Sequence, residues 1–280
     1  MIVSSQLPEP LAQIRERRER AAIFVDFDGT LASIVEEPSA ARPLRGTPEL
    51  LVRLASRFAL VAVVSGREAS VLARLLGETP GVLIEGLYGL EKIGGDGMVV
   101  VAGEIGDAGE VEKWRTAVAE AESRAKSSAP EGAVVEHKGL TLTLHWRNNR
   151  SAATWAEKFA HTELVASGLV AERSRMALEL RPPVEVNKGS VVERLAAEYR
   201  CDAIAYFGDD LGDLPAFDAL DRLESTGARV ARVAVVDAES PAEVARRADV
   251  VVERPDGAFA LLSALADDSD TASTSSRASR

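Results

Sequence analysis

Four short stretches carry side chains that could do chemistry together. The first is an apolar run, Ala21 to Val25, that ends in Asp26-Phe27-Asp28-Gly29-Thr30-Leu31. Strand alternation turns Asp26 and Asp28 to one face of the strand tip, with Phe27 pointing the other way. Two carboxylates that close repel each other unless they share a cation, which suggests a metal-dependent site. The other three stretches are Ser65-Gly66-Arg67, Lys188, and Gly208-Asp209-Asp210-Leu211-Gly212-Asp213. A carboxylate nucleophile, a hydroxyl, a lysine and a second acidic group are the parts needed for phosphoryl transfer through an aspartyl-phosphate. Nucleophile and phosphate are both anionic, so positive charge must screen them. Mg²⁺ suits that task, because it prefers oxygen ligands and tolerates water and phosphate in its shell.

Each stretch alone has a plainer reading. Asp-x-Asp-Gly also makes turns, Gly-Asp-Asp also caps helices, Ser-Gly-Arg is a common polar turn, and most lysines at helix starts are solvated. What argues for function is that all four fall at strand ends or helix starts. The run before Asp26 is too short for a helix and is closed by a glycine turn, so it reads as a buried strand. Phe58 to Val64 before Ser65, Gly81 to Glu85 before Gly86, and Ala203 to Phe207 before Gly208 read the same way. Between the first strands lies a helix carrying Leu50, Leu51 and Leu54, and this alternation argues for a parallel, doubly wound sheet with ligands at its carboxyl edge.

From about residue 105 the rhythm changes. A helix over 107–128 precedes strands at Ala133 to His137 and Leu140 to Trp146. A helix over 151–167 then precedes strands at Leu169 to Arg173 and Met176 to Arg181. Pro182-Pro183 breaks the chain, and from Lys188 the α/β rhythm resumes with strands at Val230 to Val236 and Val250 to Val252. The expected fold is therefore α/β: a Rossmann-like doubly wound parallel sheet core, residues 1–104 and 184–266, with an inserted α+β (αββαββ) cap domain at 105–183. The Ser/Thr/Asp-rich stretch 267–280 is expected to be disordered, and the arginine-rich lead-in over 9–20 to form a solvated helix.

Composition excludes several functions. A net charge of −11 argues against a general nucleic-acid binder. The single cysteine, Cys201, rules out an internal disulfide framework and fits a reducing compartment. No apolar run approaches membrane-spanning length and the first residues lack a leader pattern, so a cytoplasmic protein without membrane contacts is expected. Cys201 is followed six residues on by Phe207, not the arginine of a cysteine phosphatase. The histidines His137, His145 and His161 lack zinc-site spacing. His137 is expected to pack or face solvent, and His145 to be a hydrogen-bonded cap residue or a ligand. No Walker A sequence is present, and Gly95-Asp-Gly97 lacks the third glycine of a dinucleotide fingerprint.

With these residues in view, the chain resembles the haloacid dehalogenase superfamily of phosphatases, and within it the trehalose-phosphatase family. The closer likeness adds Ile34-Val35-Glu-Glu-Pro38, Val135-Glu-His-Lys138, His145-Trp-Arg147 and Glu179-Leu-Arg-Pro182 with Asn187-Lys-Gly189, and it spans 21 to about 220. The resemblance implies Asp26 as nucleophile and Asp28 as acid, then base. It implies Ser65 and Lys188 holding phosphate oxygens, with Gly66 and Arg67 beside them at the substrate. Mg²⁺ would be bound by Asp26, the main-chain carbonyl of Asp28 and Asp209, in a shell oriented by Asp210 and Asp213. Glu136, Lys138 and Glu185 match positions that contact sugar hydroxyls. Glu136 and Lys138 alternate along a strand, which suits a paired role, although an exposed hairpin end would look the same.

The expected activity is Mg²⁺-dependent hydrolysis of trehalose 6-phosphate by a monomer acting on a small sugar phosphate. Phosphatases of sucrose phosphate or of glycosyl- or mannosyl-phosphoglycerate are the alternatives with the same chemistry. A non-catalytic sugar-phosphate-binding protein is the alternative without it. Ser33 stands where the family commonly has proline, and Gly212 and Leu214 where it commonly has threonine and glutamate. These departures leave the acids in place and bear on substrate preference.

Overall fold

The computed structural model describes residues 7–35, 38–174, 176–238 and 240–267. The strand before Asp26 is β1, Ala21–Val25, and all five of its residues are buried, as a central parallel strand covered on both faces requires. Its alternate residues enter two different cores. Ala21, Ile23 and Val25 pack with α1 (Glu9–Glu16), α2 (Thr47–Ala55), α3 (Ala69–Leu76) and α9 (Arg254–Ala266). Ala22 and Phe24 pack with α6 (Lys188–Glu198), α7 (Leu214–Ser225) and α8 (Ala242–Arg247). The charged lead-in is thus a short helix that buries Leu11 and Ile14, followed by a single 3₁₀ turn over Arg18–Arg20.

β1 lies between β2 (Leu60–Val64) and β10 (Ala203–Gly208), parallel to both. Beyond them β3 (Val82–Gly86), β11 (Arg229–Val236) and β12 (Val250–Glu253) extend the parallel set. The order among the described residues is β12-β11-β10-β1-β2-β3-β4-β5, an eight-stranded sheet. The expected α/β sheet is present, with one addition. β4 (Glu91–Ile93) and β5 (Val99–Val101) form an antiparallel hairpin at the edge beside β3. Only the turn 87–90 joins β3 to β4, too short for the crossover a parallel neighbour needs. Three-residue strands also carry no readable period, so 91–101 gave no strand signal.

The inserted segment builds its own sheet in the order β6-β7-β9-β8, antiparallel throughout. Its strands are β6 (Val134–His137), β7 (Leu142–His145), β8 (Val170–Ser174) and β9 (Ala177–Arg181). One face carries Leu142, Leu144, Leu178 and Leu180 against α4 (Ala108–Ser128) and α5 (Ala153–Ala166). The other face is polar: Glu136 pairs with Thr143, Thr143 with Glu179, and Glu179 with Glu172, one polar row across four strands. Leu87 and Leu90 meet Leu140, Ile105 and Val186 in a separate small core where the two sheets approach. Among the described residues no helix is long and apolar enough to cross a membrane. Of the expected disordered stretch, 268–280 lies outside the described residues.

Candidate active site

Four of the core strands deliver side chains or loops to one end of the sheet, as parallel strands do at their carboxyl ends. Asp26 extends β1, its N–H donating to the Phe207 carbonyl at 2.9 Å, and it is buried. The chain then turns back on itself, with Leu31 and Ala32 both donating to the Phe27 carbonyl. Gly29 makes this turn possible. Its φ is +77°, and a Cβ there would sit 2.0 Å from a carboxylate oxygen of Asp209. Phe27 points into the helix-packed core as alternation requires.

Lys188 opens α6 behind the Asn187 cap, whose side chain accepts from Gly189 and Ser190 while Ser190 answers it. Its ammonium lies 2.9 Å from Asp26 Oδ1 and 2.6 Å from Asp213 Oδ1, and is buried with both. Burial disfavours the charge, yet Asp213 and Asp26 outweigh it and raise the lysine well above its ordinary value. Burial also pushes Asp26 well above the usual carboxylate range, against the attraction of Lys188 and with repulsion from Asp213, Asp210 and Asp28. Asp209 is raised for the same first reason, with Asp210, Asp26 and Asp213 adding to it. A site so rich in mutually repelling buried acids stores a demand for positive charge.

Carboxylate oxygens of Asp26, Asp209 and Asp213 all lie within 4.8 Å of one another. Asp213 is already engaged at both oxygens. Oδ1 accepts from Lys188 and from the Tyr206 hydroxyl at 2.7 Å; Oδ2 accepts from the Asp209 and Asp210 N–H groups at 2.9 and 3.0 Å. Gly208 permits this, because a Cβ there would lie 2.3 Å from the Asp213 carboxyl carbon. Asp210 caps the short turn Leu211–Asp213 by accepting from Gly212.

Ser65 follows β2 and is buried; its Oγ accepts from the Arg67 N–H at 3.3 Å. Arg67 forks onto Asp28 with bonds of 2.7 and 2.8 Å, its guanidinium over the Phe27 ring. Asp28 is therefore tied to Arg67 and not to Asp26. Tyr88 stands against Gly66 and Lys188.

These groups form one end of a cavity of about 540 Å³ whose other end is the polar face of the cap sheet. Asp26, Asp28, Ser65, Gly66, Arg67, Lys188, Asp209, Asp210, Glu136 and Lys138 all line it. Glu136 Oε2 accepts or shares a proton with His145 Nε2 at 2.8 Å and lies 3.5 Å from the Lys138 ammonium. Burial opposes its ionisation, but the His145 hydrogen bond and the Lys138 charge prevail and lower it to about 2. His145 is thus a hydrogen-bonded cap residue, and His137 is exposed on the opposite face.

Glu185 is the exception. It is exposed on the loop between β9 and α6 and is not among the cavity-lining residues. Glu179 and Thr143 line the cavity instead, both buried, each with an oxygen that meets no hydrogen-bond partner among the described residues. The alternation Leu178-Glu179-Leu180-Arg181 in a strand pattern was the available signal for Glu179. Tyr88 left no such trace.

A family model described as trehalose-phosphatase matches residues 24–251. A trehalose-phosphate phosphatase of Mycobacterium avium (strain 104) is 34% identical over 213 residues, covering 71% of this chain and 51% of its own length. Its counterpart in Mycobacterium bovis (strain BCG / Pasteur 1173P2) is 32% identical over 269 residues, 88% of this chain and 66% of its own. The chain thus spans about half to two thirds of the length of these curated relatives. The C-terminal domain of the C. albicans trehalose-6-phosphate phosphatase superposes with a TM-score of 0.75 at 24% identity, over 94% of this chain and 99% of that one. That likeness speaks for the fold.

Proposed function

The chain belongs to the trehalose-phosphatase family, and on that premise we propose that it is a Mg²⁺-dependent phosphatase that releases phosphate from trehalose 6-phosphate through an aspartyl-phosphate. The observation that carries this reading is Lys188, buried and salt-bridged to Asp26 and Asp213, at the head of a cavity whose far wall is polar.

The donor set fits the ion. Asp26 and Asp209 offer only oxygen, and burial has left both short of positive charge. They would hold Mg²⁺ together with the main-chain carbonyl of Asp28. Asp213, with four donors on its two oxygens, orients the shell instead. When bound, the ion neutralises the acids and draws charge from the phosphoryl oxygens.

A carboxylate oxygen of Asp26 attacks phosphorus, the bond from phosphorus to the sugar oxygen breaks, and that oxygen takes a proton from Asp28. Water then attacks phosphorus and gives its proton to Asp28, the Asp26–phosphorus bond breaks, and orthophosphate leaves. The Ser65 hydroxyl and Lys188 hold the phosphoryl oxygens throughout. Both Asp28 oxygens accept from Arg67 while the fork stands. A phosphate that draws Arg67 away would leave the Asp28 oxygens open to the leaving sugar oxygen and then to water. At the far wall Glu136, Lys138, Thr143 and Glu179 hydrogen-bond sugar hydroxyls.

The test is phosphate release from a panel of sugar phosphates, with Mg²⁺ and after chelation. Trehalose 6-phosphate should exceed sucrose and hexose phosphates by at least about tenfold in kcat/KM, a margin that a few hydroxyl contacts supply. Chelation should remove the activity. Preference for sucrose phosphate or a phosphoglycerate would keep the chemistry and move the substrate. Release from none would end the phosphatase reading.

A further inference from the structure

We propose that Tyr88 is the positioning residue of the phosphoryl end, its ring the spacer that fixes the Ser65–Gly66 loop, Lys188 and the Asp210–Gly212 turn relative to one another. The inference rests on the phosphatase reading and deepens it.

Tyr88 follows β3 in a tight turn, Leu87–Gly89. Leu87 has φ 47° and Tyr88 φ 59°, two successive non-glycine residues in the left-handed region. Side chains with a Cβ avoid that region, and strain of this kind survives only where the surroundings over-determine it. Here they do. The Tyr88 N–H donates to the Ser65 carbonyl at 2.9 Å and the Leu87 N–H to the Arg67 carbonyl at 2.8 Å. On the other side Gly89, at φ +102°, lies so close to α6 that a Cβ would sit 2.3 Å from a Val191 methyl. The turn is clamped between the loop after β2 and the helix that carries Lys188.

The ring is placed by that clamp. A Cβ on Gly66 would fall 2.7 Å from both Cζ and Oη of Tyr88, so the ring stands directly on the Gly66 backbone. The Lys188 ammonium lies 5.7 Å from the ring centroid, within reach of its π face. A Cβ on Gly212 would touch Tyr88 Cε1 at 3.5 Å. One half-buried side chain thus meets the loops after β2 and β10 and the start of α6, which carry three of the four reactive clusters. A side chain at Gly66 would contend with the ring, whereas a Cβ at Gly212 would only touch it.

A spacer acts through shape, so the ring matters and the hydroxyl does not. Tyr88→Phe should hold kcat and KM within about threefold on trehalose 6-phosphate and on p-nitrophenyl phosphate. Tyr88→Leu removes the ring and lets the loops close in. Misplacing reactive groups by about 1 Å costs on the order of 100-fold, so kcat should fall about 30- to 100-fold by the same factor on both substrates, with KM little changed. Inhibition by orthovanadate, which mimics the five-coordinate phosphoryl group, should weaken in Tyr88→Leu by a comparable factor and not in Tyr88→Phe. Should Tyr88→Leu melt below the assay temperature, Tyr88→Met is scored by the same criteria. A loss under about threefold in the ring-deleted variant overturns the proposal. So does a loss confined to the disaccharide phosphate, which would make Tyr88 a sugar contact. A Phe variant as damaged as the Leu variant overturns it too, since the hydroxyl would then be what counts. A wild-type chain that releases phosphate from neither substrate and is not bound by vanadate overturns the phosphatase reading itself, so the two failures are distinct.

Discussion

The two ends of the cavity meet opposite demands. At the core end Asp26, Lys188 and Asp213 are buried against one another, and Asp213 is fixed by four donors. At the cap end Glu179 and Thr143 are as deeply buried, yet an oxygen of each meets no partner among the described residues. An unsatisfied buried polar atom costs about 1–3 kcal/mol. The core end is preorganised, its charges held where the proposed reaction would place a phosphoryl group. On the proposed reading, the cap end offers these oxygens to sugar hydroxyls. The proposed function puts chemistry and recognition on two different sheets, so substitutions should separate them.

The largest effect is expected from Asp26→Asn. Loss of the proposed nucleophile should lower kcat by at least about 1,000-fold, equally on trehalose 6-phosphate and on an aryl phosphate. Stability should move the other way. Burial raises the Asp26 pKa well above the usual range, so its charged form weakens the metal-free fold, and a neutral isostere removes that burden. The melting temperature of the metal-free variant should equal or exceed the wild type's. Measurable turnover on the aryl phosphate alone would break the contrast, because the core end would then not act on every substrate alike.

How the two ends were written in the sequence differs for the same reason. The core cluster was legible because each acid or lysine stands at the tip of an unmistakable apolar strand or at a capped helix start, as Asp26, Ser65, Lys188 and Asp209 do. The cap residues belong to short strands whose pairing decides which side chains share a face. Thr143 lies opposite Glu136 and Glu179 only through the β6-β7-β9 order, and order is a long-range property. Glu185 was expected at the sugar, but the loop that holds it leaves it exposed outside the cavity. Tyr88 was invisible for a third reason: a left-handed tyrosine has no sequence signature, and only its neighbours hold it there.

The middle-sized effect tests the cap end. Glu179→Gln keeps the shape and exchanges a carboxyl for an amide. A charge-assisted hydrogen bond to a sugar hydroxyl contributes about 1.5–3 kcal/mol, so kcat/KM for trehalose 6-phosphate should fall roughly 10- to 100-fold. The aryl phosphate, which has no second sugar, should stay within about threefold. Glu185→Ala, by contrast, should leave both substrates unaffected. A uniform loss in Glu179→Gln would join it to the core end, and a disaccharide-specific loss in Glu185→Ala would mean that the loop before α6 moves into the cavity on binding.

The smallest effect concerns Glu136, a cavity-lining cap carboxylate held by His145 and Lys138. Glu136 is held at about 2, below its ordinary 4.5; burial opposes the shift, and His145 and Lys138 drive it. A carboxylate whose folded pKa is depressed stabilises the fold above the unfolded value and loses that contribution as pH falls through the folded one. Its share is therefore complete above about pH 4.5 and fades toward about pH 2. The side chain is 34% exposed, so solvent screening keeps the share modest. Urea midpoints should fall more steeply across that window for the wild type than for Glu136→Gln, whose amide does not titrate. Parallel acid limbs would show that the His145 and Lys138 contacts do not hold the ionised form, and Glu136 would then join Glu179 and Thr143 as a group that the fold leaves unanswered.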